Sequence, residues 1–189
     1  MDPYCAAVWS EDQVPPEAVD CEVCGLYKQG TRMVWGEGNP AAPIMVILDN
    51  PGAREDREGN PFICGTRQTL QEAVHTAGLQ AEHVYVTYVL KRRPIRAYDK
   101  IEVRQRCFEE HLLSQLADKL PKKVLCLGNV ATQIIFGDSA IEVKRLRGQW
   151  HEVRGFPTTV SYHPLAVRRR PNLRGNFIED WTFVAQEFH

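Results

Sequence analysis

Residues 43–48 form a continuous apolar run, P-I-M-V-I-L, that few folds can accommodate. The run is too short to cross a membrane and shows no alternation between apolar and polar positions. Such a strand is covered on both faces, as in a parallel sheet that lies between two layers of helices. A second run, K-V-L-C-L at residues 123–127, has the same character. Both runs end at turn residues, the first at Asp49 to Gly52 and the second at Gly128.

Strand and helix patterns alternate along the rest of the chain. Residues 83–90 and 158–162 are rich in β-branched and aromatic side chains and indicate two more strands. One helix carries an apolar stripe at Phe108, Leu112 and Leu116, spaced four residues apart. The predicted helices cover residues 66–77, 99–120, 129–136 and 176–188.

This alternation predicts an α/β fold: a three-layer α/β/α sandwich with a central, mostly parallel four-stranded sheet. We expect residues 1–189 to form one domain, in which residues 1–20 are a loosely held N-terminal arm rich in Pro, Asp and Glu. In open sheets of this kind the ligand binds at the carboxyl ends of the strands. The informative motifs of this chain all lie at such ends.

The positive charges are concentrated in three short segments, although the net charge of the 189 residues is only −1. Residues 91–96, 144–147 and 168–174 are rich in Lys and Arg and contain no acid. They are either solvated loops or a rim that binds phosphates, and their position beside the motifs favours the rim. No apolar run approaches the ~18 residues of a membrane span, and no secretory pattern is seen. We therefore expect a cytoplasmic protein, a monomer, whose partner is DNA.

The cysteines are better explained by a metal site than by disulfides. There are six of them, and no export signal accompanies them. Cys21 and Cys24 form a C-x-x-C pair, and Cys107 is a third candidate ligand. Cys126 lies within an apolar strand, so it is expected in the core, as is Cys64.

Three motifs carry candidate chemistry, and each also has a purely structural explanation. Asp49-Asn50-Pro51-Gly52 places an acid and an amide at a strand end, but turns favour these residues for conformational reasons alone. Tyr162-His163-Pro164 follows the last strand, where a histidine is either catalytic or structural. Asn60-Pro61-Phe62 presents an aromatic ring that either stacks on a base or fills the core.

Taken together, these motifs resemble those of the family-four, iron–sulfur uracil-DNA glycosylases. Residues 49–52, followed by Glu55-Asp56 and Pro61-Phe62, are similar to the G-E-A-P-G…E-D…P-F stretch of that family. The family's remaining landmarks are matched by Cys21-x-x-Cys24, Gly36-x-Gly38-x-Pro40, Val84-Tyr85-Val86-Thr87, Lys91-x-Arg93-Pro94, Leu127-Gly128 and Tyr162-His163-Pro164. The resemblance spans residues 21–180 and implies a DNA glycosylase that flips a base out of the duplex and hydrolyses its N-glycosidic bond.

The resemblance also implies roles for individual residues. His163 would donate a hydrogen bond to the leaving base, while Asp49 or Asn50 would position the attacking water. Phe62 and Tyr88 would contact the flipped base, and Leu165 would fill the space that it leaves. The residues expected to contact DNA phosphates are Lys91, Arg93, Arg168, Arg169 and Arg170. Two other functions stay open. One is a catalytically silent DNA-binding module, and the other is a glycosylase relative that traps its product covalently or acts on modified bases in foreign DNA.

Two positions depart from the family pattern. Tyr88 stands where the family has an Asn that reads the edge of uracil. Because a phenol cannot copy a two-point amide contact, we expect uracil not to be the preferred base, unless Tyr88 merely packs. Arg92 stands where the family has the fourth cysteine of a 4Fe–4S cluster. A cluster or a zinc ion would then need Cys21, Cys24 and Cys107 plus a substitute, such as Cys5 or a nearby histidine, and otherwise the thiols are relics.

Overall fold

The computed structural model describes residues 4–53, 65–186 and 188. Its strands are β1 (Glu37–Gly38), β2 (Ile44–Leu48), β3 (Val84–Tyr88), β4 (Lys123–Leu127), β5 (His151–Val153) and β6 (Phe156–Ser161). Its α-helices are α1 (Gly65–Thr76), α2 (Lys100–Cys107), α3 (Leu113–Lys119), α4 (Asn129–Phe136), α5 (Val143–Leu146), α6 (Pro164–Arg169) and α7 (Arg174–Ala185). Short 3₁₀ turns lie at Leu26–Gln29, Ala81–His83 and Pro171–Leu173, and a π-helical turn at Phe108–Leu112 joins α2 to α3.

The sheet has six strands in the order β1-β3-β2-β4-β6-β5, so the prediction of four strands is wrong. The four predicted strands are its parallel centre, β3-β2-β4-β6. The missed strands β1 and β5 lie at the two edges and pair antiparallel with β3 and β6. They contain only two and three residues, too few to show a periodic pattern. The α/β class itself is confirmed.

Helices cover both faces of the sheet because the central strands are apolar on both sides. Ile44, Val46 and Leu48 of β2 lie in one core cluster, which α1, α6 and α7 cover. Met45 and Ile47 lie in the other, which the segment from Phe108 to α5 covers. The predicted stripe of Phe108, Leu112 and Leu116 is buried in this second cluster, as is Cys126. No helix within the described residues is both long enough and apolar enough to span a membrane.

Tyr4 and Ala7, within the predicted N-terminal arm of residues 1–20, contact helix α1, so this part of the arm is not loosely held. The amide of Gln71 accepts from the N–H of Ala7 at 2.8 Å and donates to its carbonyl at 2.7 Å. The ring of Tyr4 stacks on His75 with centroids 4.8 Å apart, and Trp9 packs against the first core cluster. Residues 4–12 are therefore part of the folded structure.

Candidate active site

Asp49 and His163 meet at the carboxyl ends of the parallel strands. Asp49 follows β2 and His163 follows β6, and these two strands flank β4 in the sheet. Nε2 of His163 lies 3.2 Å from Oδ1 of Asp49. The sequence motifs placed both residues at strand ends, and the sheet order brings them into contact although 114 positions separate them.

The strand between them ends in a glycine, and this lets the histidine reach the acid. Gly128 follows β4 with φ +93°, a backbone conformation that side chains disfavour. A Cβ atom there would lie 3.0 Å from the Cβ atom of His163. Gly128 also donates its N–H to the carbonyl of Ser161 at 2.8 Å, which fixes the ends of β4 and β6 side by side. In the sequence Gly128 signals only the end of a strand, so this steric role was missed.

The hydrogen bonds of His163 select one form of its ring. Nδ1 accepts the backbone N–H of Leu165 at 3.0 Å, since His163 is the N-cap of α6. A nitrogen that accepts carries no proton, so the single ring proton is assigned to Nε2. A neutral imidazole in this form directs an N–H toward Asp49. A doubly protonated ring would have to break the bond with Leu165.

Asp49 is held as a carboxylate. Its burial raises the pKa, but the hydrogen bonds from His163 and from the backbone N–H of Asn50 outweigh this effect. The pKa of Asp49 therefore lies below its ordinary value, and the group is ionised at neutral pH. The N–H of Asn50 donates to Oδ1 of Asp49 at 2.8 Å. The side-chain amide of Asn50 donates to the carbonyl of Pro51 at 2.9 Å, which orients the amide within the turn.

The buried carboxylate of Asp180 holds the end of β6, the strand that precedes His163. Ser161, the last residue of β6, donates to Oδ2 of Asp180 at 2.5 Å, and Arg147 bonds the same carboxylate with Nε at 3.1 Å. Burial is the largest effect on Asp180 and raises its pKa, although Arg147 and Ser161 favour the ionised form. Sequence reasoning missed this brace. Its signal is an acid on the apolar stripe of the last helix, between Phe177 and Val184.

Tyr88 and Phe62 were expected to bind the base. Tyr88 ends β3 opposite Leu48, and its side chain is 2% exposed within the first core cluster. Its backbone carbonyl accepts from the ammonium group of Lys91 at 2.9 Å. Phe62 lies outside the described residues, as do Glu55, Asp56, Pro61 and Cys64 of the predicted motifs.

Most of the predicted DNA contacts lie on the surface, but one does not. Leu165 is 40% exposed, and Arg168, Arg169 and Arg170 are exposed on and just after α6. Arg93 is half-buried. A cleft of about 340 Å³ opens beside His163; its lining includes Gly128, Lys144, Tyr162, Ala166, Arg170 and Leu173.

Lys91 is fully buried, so its assignment as a phosphate contact is wrong. Its Nζ donates to Thr87 Oγ1 at 2.6 Å and to Gln115 Oε1 at 2.6 Å, and it lies 5.2 Å from the ring centroid of Trp35. Desolvation is the main cause that lowers the pKa of Lys91 to about 7. The side chain turns inward because Thr87 and Gln115 provide acceptors inside the core.

Comparison with known proteins decides the family. The family model of the uracil DNA glycosylase superfamily matches residues 35–184, most of the chain. The chain belongs to this superfamily. It is 34% identical over 184 residues to the type-4 uracil-DNA glycosylase of Archaeoglobus fulgidus. The aligned region covers 94% of this chain and 92% of that relative. It is 33% identical over 188 residues to the type-4 uracil-DNA glycosylase of Sulfurisphaera tokodaii, over 94% of this chain and 84% of the relative. The resemblance inferred from the motifs is thus confirmed.

The part of the chain that the structure describes contains no four-cysteine cluster site. Among the described residues, no group of three or more His, Cys, Asp or Glu is placed to hold a metal ion. The thiol of Cys107 donates a hydrogen bond to Cys24, which lowers the pKa of Cys24 to about 6 and raises that of Cys107. Both sulfurs would have to be thiolates to bind a metal, so metal binding would release the proton that they share.

The proposed substitutes for the fourth ligand do not complete the set either. Arg92 has only donors and cannot ligate a metal. Cys5 is exposed and follows Tyr4, which contacts α1, whereas Cys24 and Cys107 pack with Leu26 and Val103. His111 is buried, and its Nε2 has no hydrogen-bond partner among the described residues; its ring packs edge-on against Trp35. No group of His, Cys, Asp and Glu within the described residues is therefore placed to hold a 4Fe–4S cluster.

Proposed function

We propose that this protein is a DNA glycosylase that hydrolyses the N-glycosidic bond of a flipped-out uracil or related pyrimidine and leaves an abasic site. The observation that carries the proposal is the Nε2–H of His163 directed at the carboxylate of Asp49, in a chain of this superfamily. A module that only binds DNA needs neither group. The reaction belongs to base-excision DNA repair.

In this proposal His163 stabilises the leaving base. As the bond to C1′ breaks, negative charge grows on the pyrimidine, including its O2 atom. The N–H of Leu165 keeps the ring proton of the neutral imidazole on Nε2, and the Nε2–H group donates a hydrogen bond to that oxygen. In the free protein this N–H faces Asp49, so the base has to take the place of the carboxylate as its acceptor.

Asp49 and Asn50 serve the sugar side of the bond. Positive charge develops on the deoxyribose as the base departs, and an ionised Asp49 stabilises it. Asn50 binds the attacking water through its side-chain carbonyl oxygen, because its NH₂ group already donates to Pro51. The water adds its oxygen to C1′, and its proton passes to the carboxylate.

The exposed face of α6 holds the DNA. Arg168, Arg169 and Arg170 contact phosphates beside the cleft, and Leu165 fills the gap left in the duplex. Arg93 and Phe62 keep the roles expected from the sequence, as phosphate contact and stacking platform. Lys91 cannot act as an amine nucleophile because it is buried and held by Thr87 and Gln115, which agrees with hydrolysis by water.

Uracil is the base we favour. The two relatives named above are uracil-DNA glycosylases, and this argues against the expectation that Tyr88 shifts the preference away from uracil. The burial of Tyr88 in the first core cluster supports the alternative that its ring merely packs. A modified pyrimidine is the second candidate, since a buried phenol has one hydroxyl in place of an amide.

A base-release assay tests the proposal. Duplex and single-stranded oligonucleotides that contain uracil, a thymine mispair or 5-substituted pyrimidines are incubated with the protein and then treated with alkali to cleave abasic sites. We expect cleavage at uracil, and a loss of about 10²–10³-fold in single-turnover rate for His163→Ala and for Asn50→Ala, with DNA binding retained. Full activity in either variant would contradict the mechanism. DNA binding without release of any base would show a silent module.

A further inference from the structure

The segment of residues 19–31 depends on polar contacts for its position. Apart from one 3₁₀ turn at Leu26–Gln29, it has no helix or strand of its own. Leu26 and Thr31 are its only buried residues, so apolar packing holds it weakly. Backbone N–H groups of the segment itself bond the carbonyls of Glu22, Gly25 and Tyr27, whereas four other carbonyls accept from side chains elsewhere in the chain.

Three arginines from the region after β3 supply those partners. Arg92 donates from Nη1 to the carbonyl of Thr31 at 2.5 Å and from Nη2 to the carbonyl of Val19 at 3.1 Å, so one guanidinium joins both ends of the segment. Arg96 donates to the carbonyl of Lys28 at 2.8 Å. Arg106 of α2 donates to the carbonyl of Val23 at 3.2 Å.

Neighbouring backbone contacts keep the arginines in register with the segment. Met33 and Arg92 form an antiparallel bridge, and the hydroxyl of Thr31 donates to the carbonyl of Arg93 at 2.8 Å. The side-chain oxygen of Gln29 accepts from the N–H groups of Ile95 at 2.7 Å and Arg96 at 2.9 Å.

We propose that Arg92, Arg96 and Arg106 form a metal-free clamp that fixes residues 19–31 on the β3–α2 connection, where the cysteine pattern suggests a metal centre. A metal would join Cys21 and Cys24 to Cys107 through shared ligation. The arginine clamp joins the same two parts of the chain through hydrogen bonds to carbonyls. The guanidinium of Arg92 has only N–H donors, so it cannot take the place of a fourth thiolate ligand.

Hydrogen exchange of the amides in residues 19–31 tests the clamp without reference to glycosylase activity. Arg92→Ala should speed exchange in this segment about tenfold or more, because it removes charge-assisted bonds to two carbonyls. Arg92→Lys should give an intermediate effect, since one ammonium does not span both carbonyls. Arg96→Ala and Arg106→Ala should affect Lys28 and Val23 locally. Lys122→Ala removes an exposed cation elsewhere and is the matched control.

The second arm of the experiment concerns metal. Wild-type protein prepared anaerobically should contain neither iron nor zinc near stoichiometry, and chelators should leave exchange in residues 19–31 unchanged. Near-stoichiometric metal whose removal loosens the segment would overturn the proposal. Equal rates of amide exchange in residues 19–31 of Arg92→Ala and Lys122→Ala would also overturn the proposal.

Discussion

A Cβ atom on Gly128 would lie 3.0 Å from the Cβ atom of His163. The two residues follow neighbouring parallel strands, and His163 crosses the end of β4 to reach Asp49. The geometry of the candidate active site therefore depends on a missing side chain as much as on the side chains present.

Gly128→Ala should damage catalysis more than stability. The added methyl group pushes His163 by a few tenths of an ångström. Since a misplacement of about 1 Å costs about 10²-fold, the rate of base release should fall by up to that factor. Backbone strain at φ +93° should also lower the free energy of unfolding by about 1 kcal/mol. Single-turnover kinetics and urea denaturation measure the two effects.

Gly155→Ala is the control for backbone strain. Gly155 has φ +84°, but a Cβ atom there meets nothing within 4 Å. We expect this variant to lose similar stability and to keep its rate. Equal rates in the two variants would show that the contact with His163 does not matter.

Lys91→Met should change how stability depends on pH. The unfolded chain keeps the lysine proton up to about pH 10.4, whereas burial brings the pKa of folded Lys91 to about 7. Between these values the unfolded state binds more protons, so the free energy of unfolding of the wild type rises with pH, by at most about 1.4 kcal/mol per unit. The variant lacks this rise. Urea denaturation from pH 6 to pH 10 tests this, and parallel profiles would mean that Lys91 stays charged when buried.

Tyr88→Phe should leave the base preference unchanged. The ring is 2% exposed, and the substitution keeps its packing while it removes the hydroxyl. Uracil should still be cleaved fastest. Tyr88→Asn should instead destabilise the fold by about 3 kcal/mol, because it leaves a cavity at the end of β3. Base-release rates of Tyr88→Phe are measured on the oligonucleotides of the base-release assay. Faster release of another pyrimidine than of uracil would show that the hydroxyl of Tyr88 contacts the base.

Replacing Arg168, Arg169 and Arg170 by Ala should weaken DNA binding and reduce its dependence on salt. Each arginine that no longer neutralises a phosphate lowers the slope of log K against log salt by about 1. Binding should fall uniformly across sequences, since these residues contact no base edges in the proposal. Fluorescence anisotropy at several salt concentrations measures the slope. An unchanged slope would place the phosphate contacts elsewhere.

The parts of the fold that repeat a periodic pattern could be predicted from the sequence. The four central strands and the stripe of Phe108, Leu112 and Leu116 were found because several residues carry each signal. Asp49 and His163 were found because polar residues end apolar strands. Their contact follows from the sheet order, which no local pattern encodes.

The predictions that were wrong concern side-chain direction and very short elements. Lys91 stands in a basic segment and looked exposed, but Thr87 and Gln115 together make a polar site inside the core. Neither residue signals this alone, because they come from different elements. Strands β1 and β5 exist only as pairings with longer neighbours, so their own residues carry no signal.

The sheet order also has a consequence for biosynthesis. His163 emerges from the ribosome 114 residues after Asp49, just after strand β6. A nascent chain that stops before Phe156 contains Asp49 but lacks His163. It also exposes the apolar edge of β4 with which β6 would pair. Such unpaired edges promote aggregation. The candidate active site can therefore form only after β6 and His163 have been translated, and chains terminated before Phe156 should be insoluble as well as inactive.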